Sequence, residues 1–436
     1  TGGLWSNIPM AQADRTRAAP GPRAAQRDAA RAIRPLWAQI YLPNLVIATG
    51  QGAMLPILVY AAREVHGSSA AGAVVVALNG FGTLAFDIPA GQIVARLGEW
   101  VSGWVAACLL SVGVAGCLLA RSVPELAAGV VVQAAGSALW NLVRLTHLSR
   151  AAPVLARGRA LSLFGGVIRA GNVLGPFAFI AVASHRDVRP AFAVYLAAVA
   201  IGLVWTVLAR DRHDAGGREP TEPIRPLAVL SRHRAGFATS GAGAIALSLL
   251  RGSRNAIIPL WAAHLGLGSH SAASLFAFSS VVDLALFYPA GVLSDRLGRR
   301  AVLVPSLVLL AIGHFLVPLT HAYATLFAAS FVLALGNGLG AGILMTLGAD
   351  LTPSEGRASF LAVWRCLVDG GTTLGPLVES GVIALGALAL AGPAVGALGL
   401  LGVLAAVKVR EPAHVDAARS SRATARRLAR DAARDL

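Results

Sequence analysis

Residues 289–300 read Pro-Ala-Gly-Val-Leu-Ser-Asp-Arg-Leu-Gly-Arg-Arg, and residues 89–100, which lie 200 positions earlier, read Pro-Ala-Gly-Gln-Ile-Val-Ala-Arg-Leu-Gly-Glu-Trp. A second pair of segments recurs at the same offset: residues 171–176 are Gly-Asn-Val-Leu-Gly-Pro and residues 371–376 are Gly-Thr-Thr-Leu-Gly-Pro. Two separate landmarks that share one offset are hard to obtain by chance. The sequence therefore indicates a tandem duplication.

The composition around these landmarks is that of a membrane protein. Of the 436 residues, 56% are hydrophobic and only 13% are charged, whereas a soluble protein usually carries about 25% charged residues. Apolar segments of roughly 20 residues, long enough to cross a bilayer as a helix, follow one another along the chain. We predict an all-α membrane protein with twelve spans, at 36–62, 70–95, 101–120, 124–148, 160–183, 190–209, 236–263, 270–293, 301–319, 322–348, 358–384 and 387–408.

The distribution of basic residues supports this partition. With both termini in the cytoplasm, the cytoplasmic segments, counted together with Lys408 at the end of the last span, hold 28 of the 37 Lys and Arg residues and the external loops hold 4. Basic residues concentrate on the cytoplasmic side of membrane proteins, so we expect a bacterial inner-membrane protein with both termini cytoplasmic. Its expected parts are a basic N-terminal tail (1–35), a six-helix bundle (36–209), a cytoplasmic linker (210–235), a second six-helix bundle (236–408) and a basic C-terminal tail (409–436).

Several other classes of protein are disfavoured. The net charge of +16 is accounted for by the same topological signal against anionic lipid headgroups, so no nucleic-acid partner is expected. The three cysteines lie inside spans without metal-ligand spacing, so neither a metal site nor a disulfide framework is expected. The chain has no GxxxxGK[ST] loop and no recognisable catalytic constellation. We therefore expect a protein without a cofactor that is neither an ATP-driven pump nor an enzyme, and a duplicated multi-span chain of this kind is most often a secondary transporter.

The first landmark carries a family resemblance. The run from Gly291 to Arg300 resembles the loop signature of the major facilitator superfamily, G-x-x-x-D-R-x-G-R-R, which follows the second span of each half. The first copy departs from it, with Ala95 where the acid is expected. Glycines permit a tight turn and close helix approach, and arginines hold the loop in the cytoplasm. The residues concerned are Gly91, Arg96, Gly98, Gly291, Asp295, Arg296, Gly298, Arg299 and Arg300.

The second landmark resembles a fifth-span motif of the drug/proton antiporters of that superfamily. Small residues four apart let helices pack backbone to backbone, and a proline bends the span. The residues concerned are Gly171, Gly175, Pro176, Gly371, Gly375 and Pro376. The resemblance implies twelve helices in two pseudo-symmetric six-helix bundles, with a central cavity and ion-coupled alternating access.

Ionised side chains inside the spans point to the working parts of such a carrier, because each costs several kcal/mol in hydrocarbon and must face a partner or water. In the superfamily fold, helix 2 packs on helix 11 and helix 5 on helix 8. Equal depth in the membrane then predicts two gating pairs across the halves, Asp87–Arg365 and Arg169–Asp283. Asp369 has no partner in this scheme, and we expect it to be the proton-carrying carboxylate.

A second group of polar residues is expected to line the substrate cavity. Arg251 and Arg254 share one face of span 7, and with Arg144 they would give the cavity a positive wall that suits a carboxylate or phosphate. An apolar cavity for a lipophilic drug, with the arginines bound to backbone carbonyls, is the alternative. Further candidate lining residues are Gln51, Asn79, Asn255, His314 and Trp364. Glu379, near the outer end of its span, is expected to snorkel to the interface.

The sequence thus favours a monomeric secondary transporter that exports a small organic molecule in exchange for protons. Uptake of an organic anion by proton symport remains open, as does a non-transporting membrane sensor or scaffold that reuses the fold.

Overall fold

The computed structural model of the chain describes residues 36–151, 157–183, 187–208, 226–353 and 357–409, and the regular structure in these ranges is helical throughout. The expected N-terminal tail, the C-terminal tail after Val409 and residues 210–225 of the expected linker lie outside the described residues. The rest of the expected linker contains a short helix, Pro226–Arg232.

The described residues contain twelve long helical segments, one at each predicted span, and length and apolar composition alone mark eight stretches as candidate membrane spans, of which Ser69–Leu119 covers two predicted spans. The first is α1 (Trp37–Glu64), and the next assigned helix, Ser69–Leu119, is divided at Gly98 into α2 (69–97) and α3 (99–119). The others are α4 (Val123–Ala151), α5 (Arg157–Val182), α6 (Arg189–Leu208), α7 (Ala242–His264), α8 (Ser269–Leu297), α9 (Arg300–Leu316), α10 (Tyr323–Leu351, interrupted after Leu339), α11 (Arg357–Ala384) and α12 (Leu388–Ala406). Segments α7 and α11 are less apolar than most of the others, because they carry charged residues that face the protein interior.

Glycines with positive φ end the second helix of each half. Gly98 has φ 78° and separates α2 from α3, and Gly298 has φ 98° and ends α8. A residue with a Cβ is strained in this region, which explains the glycine at the same place in both repeats. Gly91 and Gly291 behave differently from the expectation, since a Cβ at either position would meet no atom within 4 Å. Close helix approach is therefore not their role in this conformation.

Within each half, the second landmark holds two helices together backbone to backbone. A Cβ on Gly175 of α5 would lie 2.4 Å from the backbone of Gly52 and Ala53 on α1. A Cβ on Gly375 of α11 would lie 2.2 Å from the carbonyl oxygen of Leu249 on α7. Only glycine fits such contacts, so these residues set the spacing of α1 to α5 and of α7 to α11.

The inner end of the bundle, defined by the turns at Gly98 and Gly298, carries an ion pair of opposite polarity in the two halves. In the first half, Glu99 accepts from Arg150 at 2.9 Å and contacts His147 at 3.0 Å. In the second half, Arg299 donates to Asp350 at 2.8 Å. The two pairs are related by the 200-residue offset, and acid and base have changed places. The contact between these helix ends is thus kept although its charges are reversed.

Arg299 also binds the acidic residue of its own loop, Asp295, at 2.7 Å. The loop signature of the second half is therefore organised around Arg299, which links the end of α8 to the end of α10. Arg300 donates to the carbonyl of Val409, close to the end of the described chain.

The halves meet through α2 against α11 and through α5 against α8, as expected. At the outer end, defined by the loops 65–68 and 265–268, three hydrogen bonds join them. The Tyr60 hydroxyl donates to the carbonyl of Leu267 at 3.0 Å, and the Ser380 hydroxyl donates to the carbonyl of Ala70 at 3.1 Å. His270 contacts the carbonyl of Ala183 at 2.8 Å. We call these three contacts the outer seal.

Candidate functional site

A cavity of about 300 Å³ lies between the two halves, below the outer seal. A volume of this size is at the lower end of the range for small-molecule sites. Its walls come from α1 and α5 of the first half and from α7, α8 and α10 of the second. The charged and amide side chains that line it are Arg169, Asn172, Arg251, Arg254, Asn255, Asp283 and Asn337.

The second half supplies most of these polar groups as one connected network. Asp283 accepts from Arg254 at 3.2 Å and from the Asn337 amide at 2.7 Å. Arg251 donates through Nε to the Asn337 side-chain oxygen at 2.6 Å and through its terminal nitrogen to the Asn337 carbonyl at 3.1 Å. Asn337 therefore connects the Arg251 guanidinium to the Asp283 carboxylate.

The expected pair between Arg169 and Asp283 is not formed, which corrects the prediction from depth. Arg169 donates to the carbonyl of Ala341, and its guanidinium lies 4.0 Å from the ring centre of Phe287. The Asp283 carboxylate instead forms an ion pair with Arg254, which projects from α7. Depth along a span was estimated from the sequence, but the direction in which each side chain points around its helix was not.

The first half holds a neutral version of the same arrangement. Gln51 donates to the Ser137 hydroxyl at 2.5 Å, and these positions are the repeat equivalents of Arg251 and Asn337. Gln133 and Tyr195 complete this buried network. Since the uncharged version satisfies the same helix contact, the charges of the second half are not required by the fold.

The expected partners Asp87 and Arg365 are in contact below the cavity. The Nε atom of Arg365 on α11 lies 3.4 Å from an oxygen of Asp87 on α2. The same nitrogen lies 3.4 Å from Asp369, one turn along α11. Asp369 therefore has a partner, contrary to the expectation that it stands alone, and Arg365 is shared between an acid of each half.

Several expected lining residues do not line this cavity. The Arg144 guanidinium is buried over the Trp140 ring at 4.2 Å and donates to the carbonyl of Gln39. The Trp364 indole donates to the carbonyl of Leu344 at 3.0 Å. Gln51 belongs to the neutral network just described, His314 is fully buried, and Asn79 is absent from the cavity wall. Of the expected residues, Arg251, Arg254 and Asn255 do line it.

Glu379 is the residue that the sequence interpretation placed wrongly. Its side chain is 0% exposed and forms a hydrogen bond with the Ser253 hydroxyl, so it does not snorkel to the interface. The Ser253 hydroxyl also lies 2.8 Å from Nε2 of His314. The signal that could have found this group is the repeat itself, because the equivalent positions 53, 114 and 179 are Ala, Val and Phe.

Comparison with known proteins agrees with this architecture. A sequence profile described as Major Facilitator Superfamily matches residues 40–253 and, a second time, residues 240–434. The chain belongs to the Major Facilitator Superfamily. Its two halves are matched separately, as expected of a duplicated bundle. Membership of this family supports the expectation from the sequence of a membrane transport protein that is not an enzyme.

Among curated relatives, the chain is similar to the Quinolone resistance protein NorA of Staphylococcus aureus, in strains Mu50 and N315 among others, at 24% identity over 161 residues. This match spans 36% of the chain and 40% of the relative's length.

Solved structures show the same fold over almost the whole chain. A POT family transporter in complex with 5-aminolevulinic acid has a TM-score of 0.68 at 14% identity, covering 86% of this chain and 95% of that one. A D-xylose-proton symporter has a TM-score of 0.63 at 18% identity, covering 87% and 97%. At these identities the likeness establishes the fold alone.

Proposed function

We propose that the protein is a proton-coupled exporter of small organic molecules that carry a carboxylate, and that it acts as a monomer in a bacterial inner membrane with both termini cytoplasmic. The observation that carries the proposal is the charge of the central cavity. Three guanidinium groups, those of Arg169, Arg251 and Arg254, face a single carboxylate, that of Asp283.

The hydrogen bonding of these arginines leaves room for an anionic ligand. Arg254 binds Asp283 through one nitrogen, while its Nε and its other terminal nitrogen are buried without a hydrogen-bond partner. A buried charged donor without a partner is costly, and a carboxylate matches the fork of a guanidinium. The excess of positive charge and these unmet donors favour a substrate carboxylate beside Arg254, with Asp283 available to a basic group of a zwitterionic substrate.

Export in exchange for protons is supported by two further observations. The matched relatives are named for quinolone resistance, and quinolones are small carboxylic acids. The α5 motif resembles one found in antiporters, and this motif and its repeat in α11 hold each half together as a rigid unit that can rock against the other.

The proposal is tested with ciprofloxacin, a fluorescent quinolone that carries one carboxylate and one basic amine. Respiring inside-out vesicles that contain the protein should accumulate it above control vesicles, and an uncoupler should abolish the accumulation. Arg254→Gln, Arg251→Gln and Arg169→Gln should each lower the rate at least ~10-fold, since each removes a charged donor from the cavity wall and a hydrogen bond to a charged group contributes about 1.5–3 kcal/mol. The exposed Arg121→Gln is the matched control, and it should transport normally.

The methyl ester of ciprofloxacin separates carboxylate recognition from simple drug binding. It should be transported poorly by the parent protein and should stabilise it less in a thermal unfolding assay, because only a binder of the folded state raises its stability. Equal handling of acid and ester would contradict the assigned substrate class. Uncoupler-sensitive accumulation in intact cells would point to uptake by symport, and the absence of flux in both vesicle orientations would point to a scaffold.

A further inference from the structure

A buried polar chain crosses the second half away from the cavity wall. It links Glu379 on α11, Ser253 on α7 and His314 on α9, and all three residues are 0% exposed. Ser253 contacts the Glu379 carboxyl on one side and Nε2 of His314 on the other, at 2.8 Å from the latter. The first half has Phe179, Ala53 and Val114 at the equivalent positions. Because the apolar version folds into the same bundle, the polar chain is not needed for packing.

The hydrogen-bond donors and acceptors of Glu379, Ser253 and His314 determine how many protons the three side chains hold. Nδ1 of His314 lies 2.7 Å from the carbonyl of Leu310, which can only accept, so Nδ1 must carry a proton. In a neutral imidazole, Nε2 is then a hydrogen-bond acceptor, and the Ser253 hydroxyl donates its single proton to that hydrogen bond. The Ser253 oxygen can in turn bind Glu379 only if the carboxyl brings a proton of its own. Both observed contacts therefore require one proton beyond those of an ionised Glu379 and a neutral His314.

That proton has two places to reside at constant total charge. In one arrangement, Glu379 is a neutral acid that donates to Ser253, and Ser253 donates to His314. In the other, the Ser253 proton has moved to Nε2, the Glu379 proton has moved to Ser253, and the chain ends in a carboxylate and an imidazolium. The neutral arrangement costs less in this apolar surrounding, because separated charges are poorly solvated there. The second Glu379 oxygen is buried without a hydrogen-bond partner, which also disfavours the carboxylate.

The other charged groups around the chain do not replace this proton. Arg254 follows Ser253 on α7 and is close enough to act on His314, but its acidic contact is Asp283. From α12, His314 meets Gly392 and Gly396, which carry no charge. Within the described residues, no ion pair involves Glu379.

We propose that Glu379, Ser253 and His314 form a one-proton relay, separate from the substrate cavity, that binds the proton driving transport. The assignment of that proton to transport rests on the proposed proton coupling, whereas the presence of the proton does not. Glu379 is followed by Ser380, which donates to Ala70 in the outer seal. The seal contact of Ser380 is one residue from Glu379 and lies where the halves meet, and on this ground we place the exchange of the proton with the outer solution at that end.

Infrared spectroscopy of the substrate-free protein tests the bound proton directly. The parent protein at about pH 7 should show the carbonyl stretching band of a protonated, buried carboxyl, which should decline reversibly as the pH is raised. Glu379→Gln should remove the band, Ser253→Ala, which copies Ala53, should shift it, and Asp369→Asn should leave it unchanged. A band that is absent from the parent, that survives Glu379→Gln, or that does not respond to pH overturns the relay.

The link to transport is tested by comparing two activities of one variant in proteoliposomes. Glu379→Gln should retain counterflow of ciprofloxacin between equal pH values but lose at least ~10-fold of its accumulation against a gradient driven by pH. A merely structural role would lower both activities together, and that result refutes the coupling role. If the parent transports no ciprofloxacin, the proposed function fails while the infrared result still decides whether the proton is present.

Discussion

The ion pair between Asp87 and Arg365 provides a quantitative test of how the halves close below the cavity. We expect Asp87→Asn to shift the population toward conformations in which the inner ends are apart. The variant keeps the volume of the side chain but removes the charge that contacts Arg365 at 3.4 Å. At that distance a pair of unit charges interacts by about 1 kcal/mol at the dielectric constant of water and about 5 kcal/mol at an effective value of 20.

The exposure of the two side chains decides where this pair lies within those limits. Asp87 is 12% exposed, but Arg365 is 41% exposed, so solvent screens part of the attraction. We therefore expect the loss of the Asp87–Arg365 attraction to cost about 2 kcal/mol, which corresponds to a change of roughly 30-fold in the equilibrium between closed and open inner ends. Asp369→Asn should act in the opposite direction, because Arg365 is then no longer shared and can turn fully to Asp87.

Distances between spin labels on Gly91→Cys and Gly291→Cys would report this equilibrium. A Cβ at either glycine meets no atom within 4 Å, so the labels can be accommodated, and Cys108, Cys117 and Cys366 would be replaced by alanine. Asp87→Asn should increase the longer distances measured by double electron–electron resonance, and Asp369→Asn should reduce them. Unchanged distances, or two variants that shift the distribution the same way, would refute the assignment of Asp87–Arg365 as a contact that breaks on opening.

Two further predictions concern stability. Gly252→Ala places a Cβ 1.9 Å from the carbonyl oxygen of Thr372, which forces α7 and α11 apart, so it should lower the free energy of unfolding by about 1–3 kcal/mol. Gly381→Ala on α11 is the control and should not lower it, because a Cβ there meets no atom within 4 Å. Equal thermal unfolding of the two variants would contradict the packing argument. Arg299→Glu and Asp350→Arg should each lower the unfolding temperature, because each breaks the ion pair between these helix ends. The two changes combined with Asp295→Ala should recover most of the loss, because the triple variant reproduces the Glu99–Arg150 pair of the first half. If the losses in unfolding temperature simply add, the ion pair is not what joins these helix ends.

The repeat shows which polar groups serve the fold and which are additional. Gln51 and Ser137 make the neutral contact that Arg251 and Asn337 make with charge. Likewise Ala53, Val114 and Phe179 replace the relay by apolar packing. The two halves are thus internal controls for one another, and the chemistry is concentrated in the second half.

Fold and architecture could be predicted from the sequence because they depend on properties that run along the chain. Hydropathy placed the twelve helices, the 200-residue offset paired the halves, and the positive-φ turns at Gly98 and Gly298 were marked by glycine in both copies. Depth along a helix, at 1.5 Å per residue, also brought Asp87 level with Arg365.

The pairing of the remaining charges was decided by tertiary structure alone. Depth gives the height of a side chain in the membrane, but each residue also turns by about 100° around the helix axis, and the facing neighbour depends on how the helices are packed. For this reason Asp283 pairs with Arg254 and not with Arg169, and Arg365 contacts both Asp87 and Asp369. Glu379, which the sequence placed near the end of its span, became fully buried because α7 and α9 cover it with Ser253 and His314.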